Sequence, residues 1–179
     1  MKKNVIVFGL ISGGLIATFG VCSVYLSDVI NNYNGSMYIG FGAQILALSL
    51  MYVAIKNYRD KENGGIVSFG KAFQIGLYIS LIASTMYVIA WAIDYHYFLP
   101  DFMEKYTAHM VSQAQSSRLS KAKIAAQIAQ AAAEKKMYEN PFWFTLITYR
   151  EIFPTGLIVS LITALILKKK VKSAEAVIA

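Results

Sequence analysis

A single cysteine, Cys22, occurs in the 179-residue chain, which excludes an internal disulfide and any cysteine-based zinc site. Histidine is nearly as scarce. His96 and His109 are the whole supply, and no ligand cluster of metal-site spacing surrounds either, so neither a metal nor another cofactor is expected. The nucleophile signature GxSxG and the metalloprotease signature HExxH are both missing, and the chain reads as a non-enzyme. Acidic residues number 10 against 17 lysines and arginines, a net charge of +7. That excess does not point to nucleic acid, because the cations flank apolar segments and form no basic recognition helix. Long stretches carry no charge at all.

What is abundant is apolar sequence. Hydrophobic residues make up 56% of the chain and the mean hydropathy is +0.48, too apolar for an ordinary soluble domain. The run at residues 142–167 continues for about 26 residues before Lys168, enough to cross a hydrocarbon core of about 30 Å at about 1.5 Å per residue. Three more runs, at about 5–26, 38–55 and 72–93, have similar character. The first is too long for a signal-peptide core and is followed by no clear cleavage site. Cys22 lies inside it and is expected to be a small buried hydrophobe. The fold class is therefore all-α, an integral membrane protein with four transmembrane helices in a single domain over 1–179.

The connections differ in length and charge. The first, residues 27–37, has turn signals at Asn31-Asn32 and Asn34-Gly35. The second, residues 56–71, is charged and turns at Gly64-Gly65, with Ser68 placed to cap the third span. Between spans three and four lies a longer polar segment, about 100–140. Its first half places Phe102, Tyr106, His109 and Met110 on one helical face. After a break at Gln115-Ser116-Ser117, Ser120 can cap a second helix with Ile124, Ile128 and Ala131 on one face, and Asn140-Pro141 ends it. A helical hairpin is expected there. Lys2, Lys3, Lys56, Arg59, Lys61, Lys71, Lys168, Lys169, Lys170 and Lys172 flank the opposite ends of the spans. By the positive-inside rule both termini are then cytoplasmic and the hairpin is extracytoplasmic.

Two features of the spans draw attention. Arg150 and Glu151, with Pro154 beyond them, form a candidate intramembrane polar site in the fourth span, because membrane helices carry charge at a cost and usually for function. Glu151 is expected to be buried among helices and Arg150 to snorkel outward, while Pro154 removes a backbone hydrogen bond and allows a kink. The second feature is a set of small-residue rows: Gly9 and Gly13 in span one, Gly76 and Ser80 in span three, Gly156 and Ser160 in span four. The last two belong to a repeated GLxxSLI pattern. Such rows let helix backbones approach closely, a main lever for packing where lipid solvates every apolar face. By contrast, Gly65 to Lys71 fits only the GxxxxGK half of a phosphate-binding loop. Ala72 stands where a hydroxyl is needed, so no nucleotide is expected.

The stretches Tyr58-Arg59-Asp60, Glu62-Asn63-Gly64-Gly65, Ser68-Phe69-Gly70-Lys71-Ala72-Phe73, Pro100-Asp101-Phe102 and Glu151-Ile152-Phe153-Pro154-Thr155-Gly156-Leu157 resemble a bacterial membrane family catalogued as domain of unknown function 4199. The resemblance covers nearly the whole chain. It implies a small multi-span inner-membrane protein and transfers no catalytic residue. The function expected is that of a structural or accessory membrane component. The alternative is a transporter or channel component working through Arg150 and Glu151. The partners expected are the lipid bilayer and another membrane protein or a second copy of the chain, with no nucleic acid.

Overall fold

The computed structural model describes residues 1–29 and 37–169. Asn31-Asn32, Asn34-Gly35, Lys170 and Lys172 lie outside the described residues. The architecture is all-α. Among the described residues seven α-helices follow in order: α1 (Lys2–Val29), α2 (Met37–Leu48), α3 (Leu50–Asn57), α4 (Phe69–Ile93), α5 (Phe102–Ser116), α6 (Lys121–Tyr138) and α7 (Pro141–Leu167). Among the described residues four helical stretches are long and apolar enough to cross a membrane: Lys2–Ser27, Tyr38–Glu62, Phe69–Phe98 and Pro141–Leu167. Helices satisfy every backbone group within the segment, which is why hydrocarbon tolerates them.

Three spans run longer than the apolar composition suggests. Helices α2 and α3 form one span interrupted only at Ser49, and the span then continues through a π-helical turn, Tyr58–Glu62. Its last turn is charged because it reaches the polar boundary. The charged connection thereby shrinks to a tight turn in which Gly64 and Gly65 adopt φ of 61° and 81°, the left-handed region that glycine enters without a Cβ penalty. Ser68 caps α4, its hydroxyl accepting from the Lys71 amide at 3.3 Å. A second π-helical turn, Asp94–Phe98, lengthens the third span. The Asn140-Pro141 pair is a start signal as well as a stop. Asn140 Oδ1 accepts from the amides of Phe142 and Trp143 at 2.9 and 3.4 Å, and Pro141 takes the first helical position, where its missing N–H costs nothing.

Helix α4 is the centre of the bundle, packed between α1 and α7, and α2–α3 covers the remaining side. The α4–α7 seam is built on the two GLxxSLI copies. A Cβ placed on Gly76 would stand 2.7 Å from Ser160 Oγ, and one on Gly156 would stand 2.6 Å from Ser80 Oγ. The two hydroxyls lie 3.3 Å apart, and each donates back to its own helix at the Gly76 and Gly156 carbonyls. Each copy thus supplies the gap that the other fills. Gly9 faces Ile82, and Gly13 faces Ala83 and Met86, so α1 approaches the opposite flank of α4 in the same manner.

One end of the bundle is tied together by polar contacts. The Met1 ammonium pairs with Glu62, Asn4 donates to the same carboxylate at 2.7 Å, and Val67 exchanges backbone hydrogen bonds with Lys169 at 3.1 and 2.9 Å. At the opposite end stands the hairpin of α5 and α6. It is held by an aromatic cluster: Trp91 meets Phe102 edge-on at 5.1 Å, and Tyr138 meets Phe144 at 5.3 Å and Tyr95 at 5.7 Å. Such ring pairs add about 0.5–1.5 kcal/mol each beyond the area they bury. Tyr97, Phe98, Phe142 and Trp143 stay exposed around this end, as interfacial aromatics do.

Candidate functional site

Between the hairpin and the upper halves of α1, α4 and α7 lies a cavity of about 460 Å³, within the size range of small-molecule sites. Each wall follows from a local pattern. Helix α4 contributes Tyr87 and Trp91, four residues apart and so on one face. Helix α5 contributes Phe102, Met103 and Tyr106 by the same spacing. From α6 come Gln130, Glu134 and Tyr138, and from α7 come Ile147, Arg150 and Glu151. The cavity has aromatic walls and three charged side chains. Burial pushes the Tyr106 and Tyr138 phenols up, and the fields of Glu134 and Glu151 act in the same direction on both. The hairpin walls therefore hold these phenols protonated.

Arg150 and Glu151 both reach this cavity. Glu151 stands among helices, as expected, but it faces them across the cavity instead of packing directly against them. Its Oε2 accepts from the Tyr87 hydroxyl at 3.3 Å. Its apolar sequence neighbours do not reveal this, because the space is bounded by α4, α5 and α6, which only the tertiary arrangement brings opposite α7. Pro154 lies one turn further along, does not line the cavity, and is accommodated within an α7 that continues from Pro141 to Leu167. The packing residues Gly9, Gly13, Gly76, Ser80, Gly156 and Ser160 lie below or beside the cavity. Tyr87, which meets Glu151 from 64 residues away, was missed by sequence reasoning. Only its place one turn before Trp91 hinted at a shared face.

Other sequence candidates separate from this site. Cys22 is free and exposed, in contrast to the buried position expected, because it lies off the faces by which α1 packs against α4 and α2–α3. His96 lies on the surface with Nδ1 2.9 Å from the Ala92 carbonyl oxygen. Among the described residues no cluster of His, Cys, Asp or Glu could hold a metal ion. In the GxxxxGK stretch, Lys71 Nζ donates to Gln74 Oε1 at 3.1 Å, along its own helix.

Below the cavity the bundle is closed. Leu48, Met51, Ala54, Ile55, Ile75 and Ile79 have no exposed surface, and Ser80 and Ser160 fill the gap between α4 and α7. No hairpin residue belongs to this core. The layer beneath the cavity is thus packed solid, and a second, shallower pocket of about 450 Å³ lies beyond it at the far end, lined by Tyr58, Asn63, Val67, Lys71 and Lys169 among others.

Among the described residues several buried polar atoms lack a hydrogen-bond partner, and Asp94 is the one that carries a carboxylate. Asp94 is 5% exposed, and its Oδ2 lacks a hydrogen-bond partner. A buried carboxylate in that position costs stability, and a near-isosteric apolar side chain removes the cost. Asp94→Leu is expected to stabilise the protein by about 1–3 kcal/mol, read as a higher midpoint in detergent thermal denaturation. A lower midpoint would show that the carboxylate serves the fold.

The chain belongs to the DUF4199 family, described as proteins of unknown function, whose family pattern matches residues 7–169. Searches of curated proteins and of solved structures found no match.

Proposed function

We propose that this protein is a non-enzymatic accessory component of the bacterial inner membrane that binds a small molecule in the cavity under its hairpin. Both termini are cytoplasmic in this reading and the hairpin is extracytoplasmic. The observation that carries it is the pairing of a charged cavity with a sealed layer: Arg150 and Glu151 line the space, and the layer of Met51, Ile79, Ser80 and Ser160 beneath has no exposed surface. The cation distribution supports the orientation. A transporter or channel component using Arg150 and Glu151 is the second reading, favoured by the intramembrane charges themselves. It requires that sealed layer to open.

Single cysteines in a Cys22→Ala background separate the two. A small, membrane-impermeant thiol reagent should reach Lys61→Cys from the cytoplasmic face, and Glu151→Cys and Ser117→Cys from the outer face alone. Ser80→Cys should stay unlabelled from either side. Labelling of Ser80→Cys from both faces would establish a polar path and the transporter reading. Labelling of Ser117→Cys from the cytoplasmic face would reverse the orientation.

A further inference from the structure

The charges in the cavity identify what it can hold. Glu134, Arg150 and Glu151 all line it, yet among the described residues no ion pair joins Arg150 to either carboxylate. Glu151 receives one long hydrogen bond, from Tyr87, and Glu134 receives one at 3.1 Å from Gln130 on its own helix. A carboxylate has about four lone-pair sites, and the guanidinium has five donors in a planar fork. These charged groups keep donor and acceptor sites open within the chain, and a ligand that brings the complementary charges fills them. Aromatic faces stand on the same walls. Tyr87 and Trp91 approach from α4, and Phe102 and Tyr106 from α5, with the last two rings stacked at 5.8 Å. Aromatic faces beside a carboxylate are the chemistry that holds an organic ammonium. An unpaired arginine fork is the chemistry that holds phosphate or carboxylate.

We propose that the cavity binds a small zwitterion, with its ammonium group between Glu151 and the aromatic wall and its phosphate or carboxylate on Arg150. Glu134 adds a second negative charge to the lining. A simple anion would place a third negative group among two carboxylates. A simple cation would leave Arg150 unpartnered. A zwitterion satisfies both, and about 460 Å³ accommodates a compound of phosphocholine or amino-acid size. The same chemistry occurs as a free solute and as the headgroup of a zwitterionic phospholipid.

The protein carries its own reporter. It has two tryptophans: Trp91 in the cavity wall and Trp143 exposed elsewhere, so Trp143→Phe leaves emission from the site alone. That variant, purified in a maltoside detergent, is titrated with phosphocholine, glycine betaine, choline, inorganic phosphate and a short-chain phosphatidylcholine below its micelle concentration. At least one zwitterion is expected to bind ten times more tightly than choline or phosphate. Glu151→Gln and Arg150→Gln should each weaken it by tenfold or more without lowering the thermal midpoint, and Arg150→Lys should fall between. Binding by the short-chain lipid alone identifies a lipid headgroup as the source, and binding by the free solutes identifies a soluble one. Choline binding that equals the zwitterions and ignores Arg150→Gln overturns the proposal, as does the absence of any binding. The inference rests on the one-sided cavity proposed above, and the two fail differently. If Ser80→Cys is labelled from both faces, the closed-cavity reading is wrong. If it stays unlabelled while no zwitterion binds, only the ligand class is wrong.

Discussion

Gly156→Leu is expected to prevent the bundle from assembling, because no space exists for a side chain at that position. Even a single Cβ there would lie 2.6 Å from Ser80 Oγ and 2.8 Å from Ser80 Cβ, distances that real atoms do not share. A leucine adds three more carbons to the α4–α7 seam. Overpacking typically costs 1–3 kcal/mol and more when backbones must separate, and here the displaced contact is the central one of the fold. A loss of about 3 kcal/mol or more, seen as a collapse of the folded yield in detergent, is the expected outcome. Leu165→Ala on the exposed face of the same helix should be nearly neutral, since Leu165 is 53% exposed.

A milder pair of variants tests the geometry itself. In Gly156→Ala the clash is with the Ser80 side chain, and removing that side chain leaves Ser80 Cα at 3.6 Å, an ordinary contact. Ser80→Gly should therefore rescue Gly156→Ala almost fully. The mirror pair should recover less, because a Cβ on Gly76 lies 3.2 Å from the Ser160 Cα even after the hydroxymethyl group is gone. Equal rescue of both, measured as coupling in a double-mutant cycle, would mean that the two halves of the seam relax alike.

Replacing the hairpin, residues 102–138, by a short glycine-serine linker should do the opposite. The spans should still fold, and ligand binding should vanish. The fully buried core contains residues of α1, α2, α3, α4 and α7, with Val67 from the turn before α4, and none from α5 or α6. The hairpin's main anchors are the ring contacts of Phe102 and Tyr138. Losing them costs about 1–3 kcal/mol, or roughly 5 °C in thermal midpoint. The cavity loses both the α5 and α6 walls, so Trp91 emission should no longer respond to a zwitterion. A protein that fails to fold without the hairpin would show that the hairpin is part of the core.

The legible parts of this molecule are those governed by local rules. Ser68 capping α4, the Gly64-Gly65 turn and the break between α5 and α6 at Ser117 each follow from a residue's own backbone preferences. The boundaries were less legible. Arg59, Asp60 and Lys61 look like loop and lie in the final helical turn of the second span, because helix propensity tolerates charge once the chain leaves hydrocarbon. Asn140 looked like a terminator and proved also to be a cap. Cys22 looked like core and faces outward. In a membrane an apolar side chain is equally at home against protein or lipid, so hydrophobicity alone does not say which side of a helix is inside.

By itself the sequence determined that the chain crosses a membrane on four helices. Uncharged runs of about 20 residues have no cheaper arrangement, and only a helix satisfies its own backbone in hydrocarbon. It also determined where backbones could come close, through Gly76, Ser80, Gly156 and Ser160. The tertiary structure decided which rows meet, pairing Gly76 with Ser160 and Gly156 with Ser80. It also decided that Arg150 and Glu151 line a cavity. That outcome depends on Tyr87, Phe102 and Tyr138, brought to one place by helices far apart in the chain. Spacing along one helix fixes a shared face, but only packing between helices fixes what that face meets.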